Sequence, residues 1–158
     1  MKNILIYSLF LFASQTIYAQ YKEYSPCSFA VSLPINFKLI NEYPEENNPD
    51  ECHYIVKSKS GLKLIEINSS LNSRFEENNI KALYKRALTN SNLNITYKIQ
   101  KLNYFVISGT DKTNGNIVYW KRIFGDNFIS DLYIKYSKNQ KNEIEPYLTK
   151  MSTSFTSK

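Results

Sequence analysis

Three stretches decide the fold: Tyr104-Phe-Val-Ile-Ser-Gly-Thr110, Ile117-Val-Tyr-Trp-Lys-Arg-Ile-Phe124 and Phe128-Ile-Ser-Asp-Leu-Tyr-Ile-Lys-Tyr136. Each is rich in β-branched and aromatic residues, which fit a pleated, half-buried surface. Asn114-Gly115 separates the first two and Gly125-Asp126 the last two; the former is a strong two-residue hairpin signal, the latter a weaker one. The pattern predicts an antiparallel meander with strands over about 103–110, 116–124 and 127–136, preceded by one over 94–100. If both turns are two residues long, counting places Trp120 opposite Gly109 and Asp131, and Arg122 opposite Ile107 and Ile129. One face then carries Phe105, Ile107, Val118, Trp120, Arg122, Phe124, Ile129, Asp131 and Tyr133. The other carries Tyr104, Val106, Ile117, Tyr119, Lys121, Ile123, Phe128, Ser130, Leu132, Ile134 and Tyr136. Both faces are largely apolar, so the sheet is expected to be covered on both sides.

Working towards the N-terminus, Phe29, Val31 and Leu33 alternate with Ala30 and Ser32 and predict a strand over 28–33 that Pro34 ends. Residues 37–43 read as a second strand, 44–51 as an acidic loop, and 52–56 with 62–68 as a hairpin. Residues 20–27 are polar and read as an extended arm. Ile80, Leu83, Tyr84, Ala87 and Leu88 recur at helical spacing, with Asn78 or Asn79 as cap, Glu76 and Glu77 near the positive end of the dipole, and Asn90 as stop. A last helix carries Ile144, Tyr147, Leu148, Met151 and Phe155 on one stripe, and Pro146 predicts a start near 142–145. The order is ββββ-α-ββββ-α. It predicts an α+β fold, a central antiparallel sheet flanked by two helices, as a single domain over 28–158.

Composition agrees with one globular domain. The chain has 158 residues, 42% of them hydrophobic and 22% charged, values that exclude a disordered chain. Lys2 followed by the apolar run Ile4–Ala13 and the Ile17-Tyr-Ala19 site has the layout of a secretory signal peptide over residues 1–19. The run is too short to span a bilayer, and the residues before Cys27 do not form a lipoprotein box. A secreted or periplasmic product, not an integral membrane protein, is therefore expected, as a monomer. The lysines are scattered rather than massed, so nucleic-acid binding is not expected.

Cys27 and Cys52 each open a strand-like run, and an exported protein sits in a disulfide-permissive compartment. A structural bridge between them is expected, worth about 3–4 kcal/mol in the chain-entropy picture. The alternative is a metal site of Cys27, Cys52 and His53. It lacks a fourth ligand, and adjacent strand residues point to opposite faces. With one histidine in the chain, most metal-hydrolase and nucleophile–base arrangements are also out of reach. No Gly-rich phosphate loop, Gly-x-Ser-x-Gly elbow or Cys-x-x-Cys occurs. No cofactor is expected. The candidate ligand-binding residues are Trp120, Arg122, Asp131 and Tyr133, a shallow cleft in which aromatics supply area while Arg and Asp fix orientation. Arg122 and Asp131, diagonal in the counted register, alternatively make a structural ion pair.

The run Phe29-Ala-Val-Ser-Leu-Pro-Ile-Asn-Phe37, the meander, and the amphipathic helix closing on Ser154-Phe155 resemble those of PsbP-like and DcrB-like proteins. The resemblance spans most of residues 28–156. It implies a central antiparallel sheet sandwiched by helices and a mostly non-enzymatic role as an exported or lumenal accessory, assembly or binding protein. It supplies no catalytic residues, and the metal-binding positions of plant members have no match here. The reading that follows is a non-catalytic exported accessory protein that binds a protein or envelope component. Alternatives are a small-molecule or lipid-binding module using the aromatic face, and a hydrolase with an unfamiliar site that would involve Asp131 and His53.

Overall fold

The computed structural model describes residues 20–43, 51–58, 63–72 and 79–158. The leader expected over 1–19 lies outside the described residues, as do most of the acidic loop (44–50), the turn 59–62, and Asn78, Glu76 and Glu77 ahead of the first helix. In chain order the elements are β1 (Tyr21–Tyr24), β2 (Phe29–Pro34), β3 (Lys38–Asn41), β4 (Glu51–Lys57), β5 (Lys63–Leu71), α1 (Ile80–Asn90), β6 (Leu93–Gln100), β7 (Tyr104–Asp111), β8 (Ile117–Phe124), β9 (Phe128–Tyr136), a 3-10 turn (Lys138–Gln140), α2 (Lys141–Ser154) and β10 (Thr156–Ser157).

This order differs from the expected one at both ends. Residues 21–24 are extended, as the polar arm reads, but they pair antiparallel with β2. Tyr21 reaches the Tyr147 ring edge-on at 6.4 Å, while Lys22 and Glu23 stay in solvent. β10 pairs with the other side of β2, so a three-stranded sheet β1-β2-β10 forms beside the main one.

The main sheet has the order β3-β4-β5-β9-β8-β7-β6, all antiparallel. It is two meanders joined edge to edge. The chain leaves β5, crosses through α1 to the far edge at β6, and walks back until β9 meets β5. The observed register differs from the counted one by two residues at each hairpin: Trp120 faces Ile107 and Tyr133, and Arg122 faces Phe105 and Asp131. The Asn114-Gly115 turn is longer than two residues. Asp111 N–H donates to the Asn116 carbonyl and Gly115 N–H to the Asp111 carbonyl, with Gly115 at φ 72°, where a glycine is favoured. In the second hairpin Gly125 N–H bonds the Phe128 carbonyl, so Asp126-Asn127 make the turn. A slip of two preserves the side-chain alternation, and both predicted faces survive.

One face packs on α2 and the small sheet. Phe29, Val31, Leu33 and Phe37 meet Ile144, Met151 and Phe155 over Ile65, Ile67, Ile123, Leu132, Ile134 and Tyr136. The other face packs on α1, whose Ile80, Leu83, Tyr84, Ala87 and Leu88 cover Phe105, Ile107, Trp120 and Phe124. Asn79 caps α1, accepting the Lys81 N–H at 2.8 Å. α2 begins at Lys141, one residue before the expected range. Pro146 then lies in its second turn and offers no N–H to the Asn142 carbonyl, which belongs to an exposed residue of the first turn. Lys121 is buried under the C-terminal end of α2 and donates to the Ser152 and Phe155 carbonyls at 2.6 and 3.2 Å, groups a helix end leaves without partners. Burial pushes its amine below the usual lysine range.

The two sheets are also tied by a chain of serine hydroxyls, three of them buried. Ser28 Oγ donates to Ser69 Oγ at 2.6 Å, Ser69 is 2.7 Å from Ser130, and Ser130 is 2.8 Å from Ser157, which donates to the Phe128 carbonyl.

Tyr136 yields a test of the α2-side core. Its buried phenol is pushed up to about 12, by burial first and then by the Glu145 carboxylate it bonds at 3.3 Å. The folded chain therefore keeps this proton above pH 10, where the unfolded chain releases it. Its contribution to stability is full below about pH 10 and lost as pH rises towards 12. Urea midpoints should fall between pH 10 and 12, and Tyr136→Phe should fall less steeply. A variant as steep as the parent would contradict the assignment.

Candidate functional site

On the α1 face, the part of the sheet running from β8 through β9, β5 and β4 to β3 carries a polar row. Arg122 of β8 faces Asp131 of β9, Asp131 faces Asn68 of β5, and Asn68 faces His53 of β4. Glu42 closes the row just beyond β3, with a carboxylate oxygen 3.2 Å from His53 Nδ1. The adjacent row is Trp120, Tyr133, Glu66 and Ile55. Strand pairing sets these positions, with opposed Cβ atoms roughly 4.5–5.5 Å apart.

All four residues singled out in the sequence meet on this face. Arg122 and Asp131 are directly opposite, not diagonal. Arg122 donates through Nε to Oδ1 at 2.7 Å and through Nη2 to Oδ2 at 2.6 Å. Trp120 Nε1 donates to the same Oδ1 at 2.6 Å. The Arg122 guanidinium lies 5.1 Å from the centre of the Trp120 ring, and Tyr133 meets that ring edge-on at 6.5 Å. Burial pushes the Tyr133 phenol up. Arg122, Asp131 and the Trp120 indole thus satisfy one another.

A cavity of about 570 Å³ lies against the row, with Tyr43, Glu51, His53, Asn68 and Asp131 in its wall. The Tyr43 ring stacks on His53 at 5.5 Å and is half-exposed. The Asn68 amide makes no side-chain hydrogen bond to a described residue. His53 Nε2 is the one buried side-chain nitrogen or oxygen among the described residues with no partner. A histidine held by a carboxylate at Nδ1 is half of a nucleophile–base arrangement. Among the described residues no hydroxyl or thiol bonds Nε2.

Cys27 and Cys52 are bridged, with Cα atoms 6.7 Å apart. His53 follows Cys52 on β4 and points to the opposite face, and no group of three His, Cys, Asp or Glu among the described residues is placed to hold a metal. Sequence reasoning read Asn68 only within the glycosylation-acceptor pattern Asn68-Ser-Ser, and neither placed it beside His53 nor paired His53 with Glu42. The usable signal was the alternation in Cys52-His-Tyr-Ile-Val, which separates Cys52 from His53. Nothing local indicates that β5 will lie beside β9.

Among solved structures, the chain is similar to the solution structure of cyanobacterial PsbP (CyanoP) from Synechocystis sp. PCC 6803. The TM-score is 0.56 at 7% sequence identity, over 89% of this chain and 94% of that one. No protein-family model matches the chain, and no curated protein matches it in sequence. The likeness shows a PsbP-like fold.

Proposed function

We propose, with the PsbP-like fold as premise, that the chain is a non-catalytic accessory protein, exported to a secreted or periplasmic location, that binds a protein or envelope component. The supporting observation is the extent of the likeness, nearly the whole of both chains. The Cys27–Cys52 bridge supports export, because such bridges persist in oxidising compartments. Among the described residues no helix is long and apolar enough to cross a membrane. The test is crosslinking in the native envelope with the tagged protein. A defined partner recovered reproducibly is the expected result, and recovery of none under several crosslinkers would sink the reading.

A second reading is small-molecule binding on the sheet face that carries Trp120, Arg122, Asp131 and Tyr133. The cavity beside Asp131 favours it. In this reading Trp120 and Arg122 orient the Asp131 carboxylate while other groups of the wall remain to contact the ligand.

A further inference from the structure

We propose that the cavity beside the His53–Asn68–Asp131 row takes a hydroxyl-rich sugar ring, with Asn68 and Glu51 as its hydrogen-bonding groups and Tyr43 as its flanking face. The inference rests on the ligand-binding reading above.

The volume of about 570 Å³ lies within the range of small-molecule sites. The chemistry of the wall then selects the ligand. An anion needs an uncommitted cation, and among its described residues the wall contains Glu51 and Asp131 but no lysine or arginine. Arg122, the cation next along the row, is bidentate to Asp131. An acyl chain would remove Asn68 and Asp131 from water without supplying hydrogen bonds, which is costly for polar groups. A polyamine has donors for the carboxylates but no acceptor for the Asn68 amide N–H groups. A hydroxyl both donates and accepts, so neighbouring hydroxyls on one ring serve Glu51 and both ends of the Asn68 amide together.

Two features of the geometry fit a ring of this kind. The Tyr43 ring, held by stacking on His53, offers a half-exposed apolar surface for the C–H face of a sugar. The row stands on paired strands, which hold hydrogen-bonding groups more firmly than loops do.

The test is saturation-transfer NMR on the purified protein with glucose, galactose, N-acetylglucosamine and glucosamine at millimolar concentration, and with spermidine and decanoate as the other ligand classes. Native mass spectrometry of gently purified protein runs alongside. At least one sugar should show transfer, weakened tenfold or more in Asn68→Ala and in Tyr43→Ala and unchanged in Lys98→Ala, which lies on the edge strand β6. Thermal midpoints of the variants confirm that they fold. No transfer from any sugar, or transfer undiminished in both site variants, overturns the proposal. If the sugars fail while spermidine, decanoate or a retained mass binds in an Asn68-dependent way, the sugar assignment falls and the ligand-binding reading stands. If nothing binds, both fall.

Discussion

Replacing Cys27 and Cys52 together by alanine should lower the unfolding free energy by about 3–4 kcal/mol, the chain-entropy value for a closed loop of this size. For a chain of this length that is a fall of roughly 10 °C in the melting temperature. The two cysteines are 25 residues apart, and the loop they close contains β2 and β3. Without the bridge, packing and the serine chain are what hold β2 against the main sheet among the described residues. That chain begins at Ser28, the residue after Cys27, and Ser28 Oγ lies 3.6 Å from Cys52 Sγ. Reduction therefore loosens the end of the hydroxyl chain as well as lengthening the unfolded ensemble. The measurement is urea unfolding of the parent with and without reductant, beside the double variant. Agreement of the reduced parent and the variant within about 1 kcal/mol, both well below the oxidised parent, is the expected pattern. An oxidised parent no more stable than the reduced one would remove the bridge from the account of stability.

The part of the fold legible in the sequence was the part specified locally. The meander faces followed from alternation, and α1 from its spacing and the Asn79 cap. The register did not follow, because Asn114-Gly115 sits inside a longer turn that Asp111 and Asn116 close. β1 and β10 have no pattern of their own to betray them. They are strands because β2, an apolar strand outside the main sheet, leaves hydrogen-bonding edges on both sides. The candidate site divides along the same line. Trp120, Arg122, Asp131 and Tyr133 belong to one hairpin, and alternation alone puts them on one face. Asn68 and His53 join them only through the β5–β9 pairing, a contact between two meanders separated by α1 that no turn dictates. His53 also read as a lone imidazole, and its partner Glu42 lies on the far side of the 44–50 segment, where spacing indicates nothing about contact.

The Arg122–Asp131 pair is where the structural and ligand-binding readings make different demands. The Asp131 side chain is 15% exposed and accepts three hydrogen bonds, two from an Arg122 that is itself 24% exposed. Removing one member of a largely buried pair strands the other, at about 3–5 kcal/mol when burial is complete. Residual exposure of Arg122 lets water recover part of that, so Asp131→Ala should cost about 3 kcal/mol, with Trp120 Nε1 left unpaired as a contribution. Asp131→Asn keeps an acceptor for the indole and should cost less. The diagnostic is the double variant Arg122→Met with Asp131→Leu. It removes both charges and fills the space with apolar atoms over Trp120 and Phe105, so it should recover most of the loss. A strong favourable coupling in the double-mutant cycle is the expected result. Near-additive losses would mean that Arg122 and Asp131 stabilise the fold through separate partners, and the pair would no longer explain why these charges sit on an apolar face. Sugar binding separates the remaining roles. A double variant that folds well but loses binding places Asp131 in contact with the ligand, whereas retained binding leaves recognition to Asn68, Glu51 and Tyr43 and assigns the ion pair to the sheet alone.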